Sequence, residues 1–417
     1  MPKHKFFVAL LAALAVTSCG QPSWNRDNAV TVYTVDEPAP NAAASETKEP
    51  DDTFVNACAS LGFTLLNAEN GTESRMVSPV SVLYALGMTA NGAAGETKKQ
   101  MEQALYNGEP AEDFNGYFRA FADSLPNSET CKLAVADSVW LNANFTPAEA
   151  FLQTCALSFD ADIFGMDFAR EDAVGRINGW TSEKTDKMIP QILDYLSPTS
   201  PAVLVNAVLF DAKWQKEYED FAVYDEEFTD YAGNTTAREF LHSEEDSYFK
   251  LGKGTGFLRP YTERYSFVGI LPDEGTDVFD YAKSINAEKF TEQVKNPQRK
   301  HGKVHVSMPS FTFDYDTELS ETLAALGMPL AFSDAADFSA MGECDEPFCI
   351  GEVLHKTRIE LTRHGTKAAA ATAIVMETTA AMDYEEPIVI TLDRPFVFAI
   401  VENGTGLPVF VGVYCGE

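Results

Sequence analysis

Two histidines have a spacing that metal sites use on helices. His301 and His305 are four residues apart, which would place both imidazoles on one face of a helix. Gly302 and the apolar alternation through Val304 and Val306 favour a strand instead. On a strand the two imidazoles would lie roughly 13 Å apart, too far to share one ion. We therefore predict no metal site, and no motif predicts a cofactor.

Motifs for other kinds of catalysis are also weak. The glycine-rich segment 252–256 lacks the spacing of a phosphate-binding loop and is interpreted as a turn. The chain has neither a G-x-S-x-G nucleophile elbow nor a catalytic-cysteine signature. His355 follows an apolar pair and is interpreted as a buried structural residue at the start of a strand. The sequence thus predicts a protein that is not an enzyme.

The segment Gly365–Met382 is the most unusual part of the chain. It reads G-T-K-A-A-A-A-T-A-I-V-M-E-T-T-A-A-M, has no proline, and its first half is almost free of large side chains. As a strand, it would place both charges, Lys367 and Glu377, on one face and leave the other face uncharged. Such a segment is able to slide between two existing strands. The alanines favour a helix and the β-branched residues a strand, so propensity alone leaves both structures open.

The elements that position this segment are predicted by hydrophobic periodicity. Ser78 and Pro79 have the character of a helix cap and a first turn, and helices are expected on either side of that helix. Strands are expected over several alternating or apolar runs: 132–141, 202–210, 266–271, 304–308, 388–392, 396–401 and 408–413. Without an internal repeat or a linker after residue 50, residues 51–417 are predicted to form one mixed α+β domain.

Composition limits the partners. The 417 residues carry a formal charge of −32, and 45% of them are hydrophobic. A large core is therefore expected, while nucleic acid and anionic membrane surfaces are poor partners, because binding them requires patches of Lys and Arg.

The N-terminus is predicted to be a targeting segment. Lys3 and Lys5 precede an apolar run of eleven residues, 6–16, which is too short to span a bilayer. Residues 16–20, V-T-S-C-G, resemble the lipobox of bacterial lipoproteins, which implies a signal peptide over 1–18 and lipidation at Cys19. The alternative is an ordinary secretory signal cut near Ser18. In both cases the protein leaves the cytoplasm, and with lipidation it stays at the cell surface as a membrane-anchored lipoprotein.

Residues 19–50 are polar and rich in Pro and Ala, so we predict a flexible tether there. Six cysteines follow Cys19. Cys344 and Cys349 are close enough in sequence to bridge a short loop, but six cysteines allow fifteen pairings and the sequence does not choose among them.

A series of ordered motifs resembles one family from about residue 52 to the C-terminus. The motifs are Ser78-Pro79-Val80-Ser81, Gly92-Ala93-x-Gly95-x-Thr97, Ile177-Asn178-x-Trp180, Asn206-Ala207-x-x-Phe210 with Lys213-Trp214, Pro309-x-Phe311, His355-Lys356 and Asp393-Arg394-Pro395-Phe396. In order and spacing they are similar to those of the serpins, the serine protease inhibitors, and the N-terminus suggests a bacterial lipoprotein member.

The resemblance implies a serpin fold, with mixed β-sheets, a helical cluster and an exposed reactive-centre loop. It implies a monomeric suicide substrate: a serine protease cuts the loop, forms an acyl-enzyme and is trapped in a covalent complex as the loop inserts into the main sheet. The family spacing places the reactive bond at Thr379–Ala380, with neighbouring residues from 378 to 382 as alternative registers. A small residue there implies an elastase-like or subtilisin-like target.

The resemblance also assigns two further sets of residues. The loop hinge comprises Gly365, Thr366, Lys367, Ala368, Ala369, Ala370, Ala371 and Thr372. A sheet-opening network comprises Ser78, Ser81, Asn206, Trp214 and His355. The chain departs from the family at the hinge, where Arg363, His364 and Lys367 replace residues that are usually acidic in inhibitors. A serpin-fold binding protein without inhibitory activity is therefore kept as the alternative function.

Overall fold

The computed structural model describes residues 25, 29–33, 47–68, 70–343, 348–351, 353–366 and 386–416. The predicted signal peptide, the lipidation site Cys19 and the segment 367–385 lie outside the described residues. In the part of the chain that is described, no helix is both long and apolar enough to cross a membrane.

Helices and strands alternate irregularly along the chain, as predicted for an α+β protein. The α-helices are α1 Asp52–Ala68, α2 Pro79–Gly92, α3 Gly95–Tyr106, α4 Ala111–Ser124, α5 Glu149–Phe159, α6 Ala173–Lys184, α7 Val278–Ser284, α8 Ala287–Lys295 and α9 Ser320–Ala325. Short 3-10 turns cover Asp220–Ala222 and Pro329–Phe332.

The strands fall into three sheets. They are β1 Thr31–Tyr33, β2 Arg75–Val77, β3 Cys131–Asn142, β4 Thr146–Pro147, β5 Asp162–Met166, β6 Ala202–Lys213, β7 Val223–Thr229, β8 Thr235–Leu251, β9 Gly254–Pro260, β10 Tyr265–Pro272, β11 Gln298–Pro309, β12 Phe311–Glu318, β13 Gly342–Glu343, β14 Leu354–Thr362, β15 Gly365–Thr366, β16 Ile388–Thr391, β17 Phe396–Glu402 and β18 Pro408–Tyr414. The strand predicted over His301 and His305 is confirmed, because both lie in β11.

The main sheet has seven strands in the order β1-β5-β3-β6-β15-β14-β12. Its centre is the long antiparallel ladder of β3 with β6, from the pair Cys131 and Ala212 to the pair Leu141 and Ala202. A second sheet runs β16-β11-β8-β9-β10-β17-β18-β2, with β7 also paired to β8. A two-stranded ribbon joins β4 and β13.

Helix α2 packs behind the main sheet, against β6, and its local sequence explains where it begins. The Ser78 side chain accepts a hydrogen bond from the backbone N–H of Ser81, and Pro79 occupies the first turn, where no N–H donor is needed. Most of its side chains are buried, including Val80, Leu83 and Leu86. The predicted cap and helix are confirmed.

The N-terminal segment contributes an unexpected strand. Thr31, Val32 and Tyr33 pair antiparallel with Gly165, Phe164 and Ile163 of β5, at the edge of the main sheet. The preceding residue, Val30, is buried in a small cluster with Trp140 and Trp180. The prediction of a flexible tether over 19–50 is therefore wrong at Thr31–Tyr33, where three residues are too few to produce a readable alternation.

The described cysteines are free thiols: Cys58, Cys131, Cys155, Cys349 and Cys415. Cys344, the partner that the sequence suggested for Cys349, lies outside the described residues. The fold is held by its core instead, in which most of the apolar residues of α1, α2, β17 and β18 are buried together.

Candidate functional site at the centre of the main sheet

The hinge residues Gly365 and Thr366 form a short strand, β15, inside the main sheet. On one side they pair with Thr362 and Leu361 of β14, and on the other with Lys213 and Ala212 of β6. Gly365 has a φ of +149°, and a Cβ atom there would lie 2.0 Å from the carbonyl oxygen of Ala212. Only glycine fits this approach, because any side chain would collide with the backbone of β6.

Thr366 is anchored by an aromatic pair beneath the sheet. Its side chain is 4% exposed, and its hydroxyl lies 2.6 Å from the hydroxyl of Tyr261. The Tyr261 ring stacks on Trp214, with centroids 4.4 Å apart and an angle of 8° between the planes. The Trp214 Nε1–H in turn donates to the carbonyl oxygen of Thr362, at 2.9 Å. The hinge is thus bonded through side chains as well as through its backbone.

A buried ion pair supports these aromatic rings. The guanidinium of Arg259 lies 3.9 Å from the centroid of Tyr218 and 5.1 Å from that of Trp214. Its Nη1 donates to Glu245 at 2.5 Å, and both side chains are only 6% exposed. Cation–π contact and a charge-assisted hydrogen bond compensate for burying the two charges.

The basic residues before the hinge have acidic partners. Arg363 donates from Nη2 to Asp220 at 2.5 Å and to the carbonyl oxygen of Tyr218 at 3.1 Å. The Nδ1 atom of His364 lies 2.8 Å from a carboxylate oxygen of Glu217. The departure from the family pattern at these two positions is therefore matched by acidic residues in the segment after Trp214.

Three of the predicted network residues meet beneath β14. The backbone N–H of Ser78 donates to Nε2 of His355 at 3.0 Å, and the Ser78 hydroxyl accepts from the N–H of Ser81. Since Nε2 accepts, the neutral ring carries its proton on Nδ1. Burial lowers the pKa of His355 to about 4, because a charged imidazolium is disfavoured away from water. His355 is structural, as predicted.

The other two predicted network residues are Asn206 on β6 and Trp214 directly after it. Asn206 pairs with Asp137 of β3 in the sheet ladder, and its side chain is outside the described set. Trp214 lies just beyond the end of β6 beside the hinge, several residues away from His355. The network is therefore divided into a group around Ser78 and His355 and a group around Trp214.

A cavity of about 370 Å³ lies between β6 and β14 below the hinge. Its lining is largely apolar and comes from α2, from the segment after α6 that continues into the beginning of β6, from Phe338 and Met341, and from residues 348–351 and 353–355. In the described part of the chain no ladder joins β6 directly to β14; the two strands are linked only through β15. The sheet is thus complete at the hinge and incomplete beside the cavity.

Several predicted residues lie outside the described part of the chain: hinge residues Lys367, Ala368, Ala369, Ala370, Ala371 and Thr372, and the reactive bond Thr379–Ala380. Conversely, the structure assigns positioning roles that the sequence reasoning missed, to Tyr261, Arg259, Glu217 and Asp220. Only Glu217 and Asp220 could have been expected from the sequence, because the basic residues Arg363 and His364 before the hinge are stabilised by nearby acids. Arg259 lies in β9 of the second sheet and Tyr261 follows that strand, and no spacing connects them to the hinge.

Comparison with known proteins agrees with this geometry. The family model described as serpin (serine protease inhibitor) matches residues 56–416. The leukocyte elastase inhibitor of Bos taurus is 30% identical, over 84% of this chain and 95% of the relative. The crystal structure of tengpin, a thermophilic serpin, in its native state has a TM-score of 0.83 and 40% identity, covering 89% of this chain and 96% of tengpin. The latent state of tengpin has a TM-score of 0.77.

The family match spans far more than half of the chain, and the fold agrees with that of tengpin. The fold class is confirmed as α+β with mixed sheets. The chain belongs to the serpin family.

Proposed function

We propose that this serpin is a suicide-substrate inhibitor of serine proteases and is not itself an enzyme. The observation that carries this proposal is the position of Gly365 and Thr366, which are hydrogen-bonded between β6 and β14 at the head of an incomplete sheet. The rest of the loop would continue from these two residues once a protease has cut it.

The hinge pairs fix the register of that continuation. Because Thr366 lies opposite Ala212 in an antiparallel ladder, each later loop residue pairs one residue earlier on β6. Thr372 would then lie opposite Asn206 on one side and, by the same reasoning from Leu361, opposite His355 on the other. The loop would therefore pass over the group of residues that holds β14 to α2.

The same register determines which face of the loop would be buried. Thr366 shares its face with Ala212 and Leu361, and all three are buried. Alternation then turns the even-numbered residues inward and leaves Lys367 and Glu377 outward. The uncharged face would enter the core, and no charge would be stranded there.

The two large residues of that face would meet the cavity. In this register Ile374 would lie between Leu204 and Val353, and Met376 would lie between Ala202 and Gly351. These four residues of β6 and the segment before β14 all line the cavity. Filling an apolar cavity with two apolar side chains is favourable, at roughly 1.5–3 kcal/mol for each. The two large apolar residues of the loop would thus fill the apolar cavity, and this burial would favour insertion.

The proposed reactive bond is Thr379–Ala380. A threonine suits a protease with a small primary pocket, so we propose elastase-like or subtilisin-like targets and a covalent acyl-enzyme complex. The similarity to a bovine protein named as an elastase inhibitor supports this class of target. A residue shift of the bond within 378–382 would keep the same class.

The test is incubation of the mature chain with a serine protease of small primary pocket, followed by denaturing electrophoresis and mass spectrometry. We expect an SDS-stable complex and a released peptide that begins at Ala380. Cleavage of the loop with full protease activity retained, and without any covalent complex, would instead support a non-inhibitory binding protein.

We also propose export and lipidation at Cys19, based on the lipobox-like sequence of residues 16–20. Expression in a bacterial host with a radiolabelled fatty acid should label the wild type and leave Cys19→Ala unlabelled. Equal labelling of the two proteins, or none in either, would contradict the anchor.

A further inference from the structure

An exposed aromatic pair lies beside the hinge. Phe221 is 83% exposed and Tyr224 is 50% exposed, in a segment that begins with the 3-10 turn Asp220–Ala222 and continues into β7. Large apolar side chains this exposed leave apolar area in contact with water, and neighbouring ones mark interaction sites more often than isolated ones do. Phe221 has the largest exposed fraction among the large hydrophobic residues that the structure describes as exposed.

The Tyr224 ring is held in place before any partner arrives. It stacks on His242, with centroids 3.8 Å apart and an angle of 8° between the planes. The Nδ1 of His242 lies 3.1 Å from the carbonyl oxygen of Ala222, and its Nε2 lies 3.1 Å from Glu226. A fixed aromatic ring loses little entropy on binding, which favours its use as an anchor.

The chain segment that carries this pair is acidic. From residue 217 to residue 227 the chain contains six acids and no Lys, Arg or His; the acids are Glu217, Glu219, Asp220, Asp225, Glu226 and Glu227. Glu219, Asp220, Asp225 and Glu227 are exposed. We call Phe221, Tyr224 and these four exposed acids the aromatic–acidic surface.

This surface is bonded to the base of the reactive-centre loop. Arg363 reaches Asp220 and Tyr218 through its side chain, and the backbone N–H of Tyr218 donates to the carbonyl oxygen of Arg363 at 3.3 Å. Phe221 is the next residue after Asp220, and Arg363 is two residues before Gly365. Asp220, at one end of the aromatic–acidic surface, is therefore bonded to the turn that leads into the hinge.

The chemistry of the surface selects one kind of partner. Carboxylates attract Lys and Arg, and the faces of Phe and Tyr accept the same cations. A second copy of this chain, with a formal charge of −32, would be repelled. We propose that the aromatic–acidic surface is a second docking site for the target protease, and that its counterpart is a surface bearing Lys and Arg beside the protease's active-site cleft. The identity of the partner rests on the proposed inhibitory function.

The test measures binding without chemistry. The probes are two serine proteases with small primary pockets, one strongly basic and one acidic, each inactivated by replacing its nucleophilic serine with alanine. The mature wild-type chain is compared with F221A, with F221A/Y224A and with the matched control Tyr195→Ala, whose ring is 74% exposed on the segment after α6. Unfolding midpoints check that every variant is folded.

We expect F221A/Y224A to weaken binding of the basic protease by about tenfold or more, as for loss of an aromatic anchor. F221A alone should have a smaller effect, Tyr195→Ala none, and the acidic protease should bind wild type and variants alike. Equal affinity of wild type and double variant for the basic protease would overturn the proposal, as would an equal loss with both proteases.

A parallel assay with the active basic protease separates this inference from the proposed function. If the wild type forms no SDS-stable complex but the binding pattern above holds, inhibition is refuted and the docking surface stands. If the complex forms and F221A/Y224A forms it as fast as the wild type, the docking surface is refuted and inhibition stands. Sedimentation of the free chain as a dimer that F221A/Y224A abolishes would assign the surface to self-association and overturn the proposal.

Discussion

The two ends of the cleft between β6 and β14 differ in what fills them. At the hinge end, Gly365 and Thr366 pair with both strands, and Tyr261 and Trp214 are packed against them. At the cavity end, the same two strands border about 370 Å³ of largely apolar space. One end is a finished sheet, and the other lacks a strand.

This difference shows where a serpin of this sequence would gain stability on insertion. The hinge end has already made its hydrogen bonds and buried its threonine, so little remains to be gained there. The cavity end has apolar walls and unpaired strand edges in the described residues, and both would be satisfied by one added strand. The contrast therefore predicts a direction for insertion. The loop would enter at the hinge end, where the sheet is complete, and proceed towards the cavity end, where a strand is missing.

The largest expected effect comes from breaking the hinge end. Thr366→Arg would place a cation in a position that is 4% exposed, between β6 and β14. Burying an unpaired charge costs several kcal/mol, so insertion should fail and the chain should become a substrate. We expect the number of molecules consumed for each protease inhibited to rise by more than about tenfold, measured by titration of protease activity.

The matched control for that change is Thr366→Ser, which keeps the hydroxyl that faces Tyr261. It should inhibit nearly as well as the wild type. Undiminished inhibition by Thr366→Arg would refute insertion at the hinge.

A change of pH should alter the stability of the fold through His355, which accepts a hydrogen bond from Ser78 at the start of α2. The pKa of His355 is about 4 in the folded protein, against about 6.5 for an ordinary histidine. The unfolded chain therefore binds a proton first, and folded-state stability is lost as the pH falls from 6.5 towards 4. The expected loss is about 3 kcal/mol, measured as the urea midpoint across this range.

His355→Gln separates this contribution from that of the carboxylates. Its amide oxygen is able to accept from the N–H of Ser78, but the side chain does not titrate. The variant should be less stable at pH 7 and lose less stability between pH 6.5 and 4. Identical pH dependence in both proteins would contradict the assignment.

Filling the cavity end in advance should slow insertion. Ala85 of α2 lines the cavity, and Ala85→Leu would occupy part of the space that Ile374 and Met376 are proposed to take. We expect the uncleaved chain to gain about 1–2 kcal/mol of stability and to become a poorer inhibitor. Ala150→Leu, at an exposed position on α5, is the control and should change neither property; a gain in inhibition by Ala85→Leu would oppose this view of the cavity.

The smallest effect is expected from loosening the hinge end by one hydrogen bond. Tyr261→Phe removes the hydroxyl 2.6 Å from Thr366 and keeps the ring on Trp214. The loss should be about 1 kcal/mol, seen as faster amide hydrogen exchange at Thr366. Tyr265→Phe, in the same aromatic cluster, should leave that exchange rate unchanged, and slow exchange in Tyr261→Phe would argue against the bond.

The helix cap at Ser78 could be predicted from the sequence because its determinants are local. Gly365 and Thr366 were singled out by the same kind of short-range signal, and the remaining hinge residues lie outside the described part of the chain. The ordered motifs drew attention to His355 and Trp214, which the structure places in two separate groups. The three-residue strand β1 was missed because it has too few residues to show a period.

The supporting groups were missed because they depend on tertiary contact. Arg259 lies in β9 of the second sheet and Tyr261 directly follows it. Nothing in the neighbouring sequence indicates that these residues contact Thr366 and Trp214. The cavity is invisible in sequence, since it is a space bounded by four separate segments. In the sequence, Glu217 and Asp220 are only two members of an acidic segment. The structure shows that they contact His364 and Arg363.

Loop insertion is tested most directly by the stability of the chain before and after its loop is cut. A metalloprotease of broad apolar specificity forms no acyl-enzyme, so it would cut the loop without being trapped. If insertion completes the cavity end, the cleaved chain should unfold at a temperature higher by about 10 °C or more than the intact chain. The same unfolding temperature for both forms would mean that no strand enters the main sheet, and this result would contradict loop insertion.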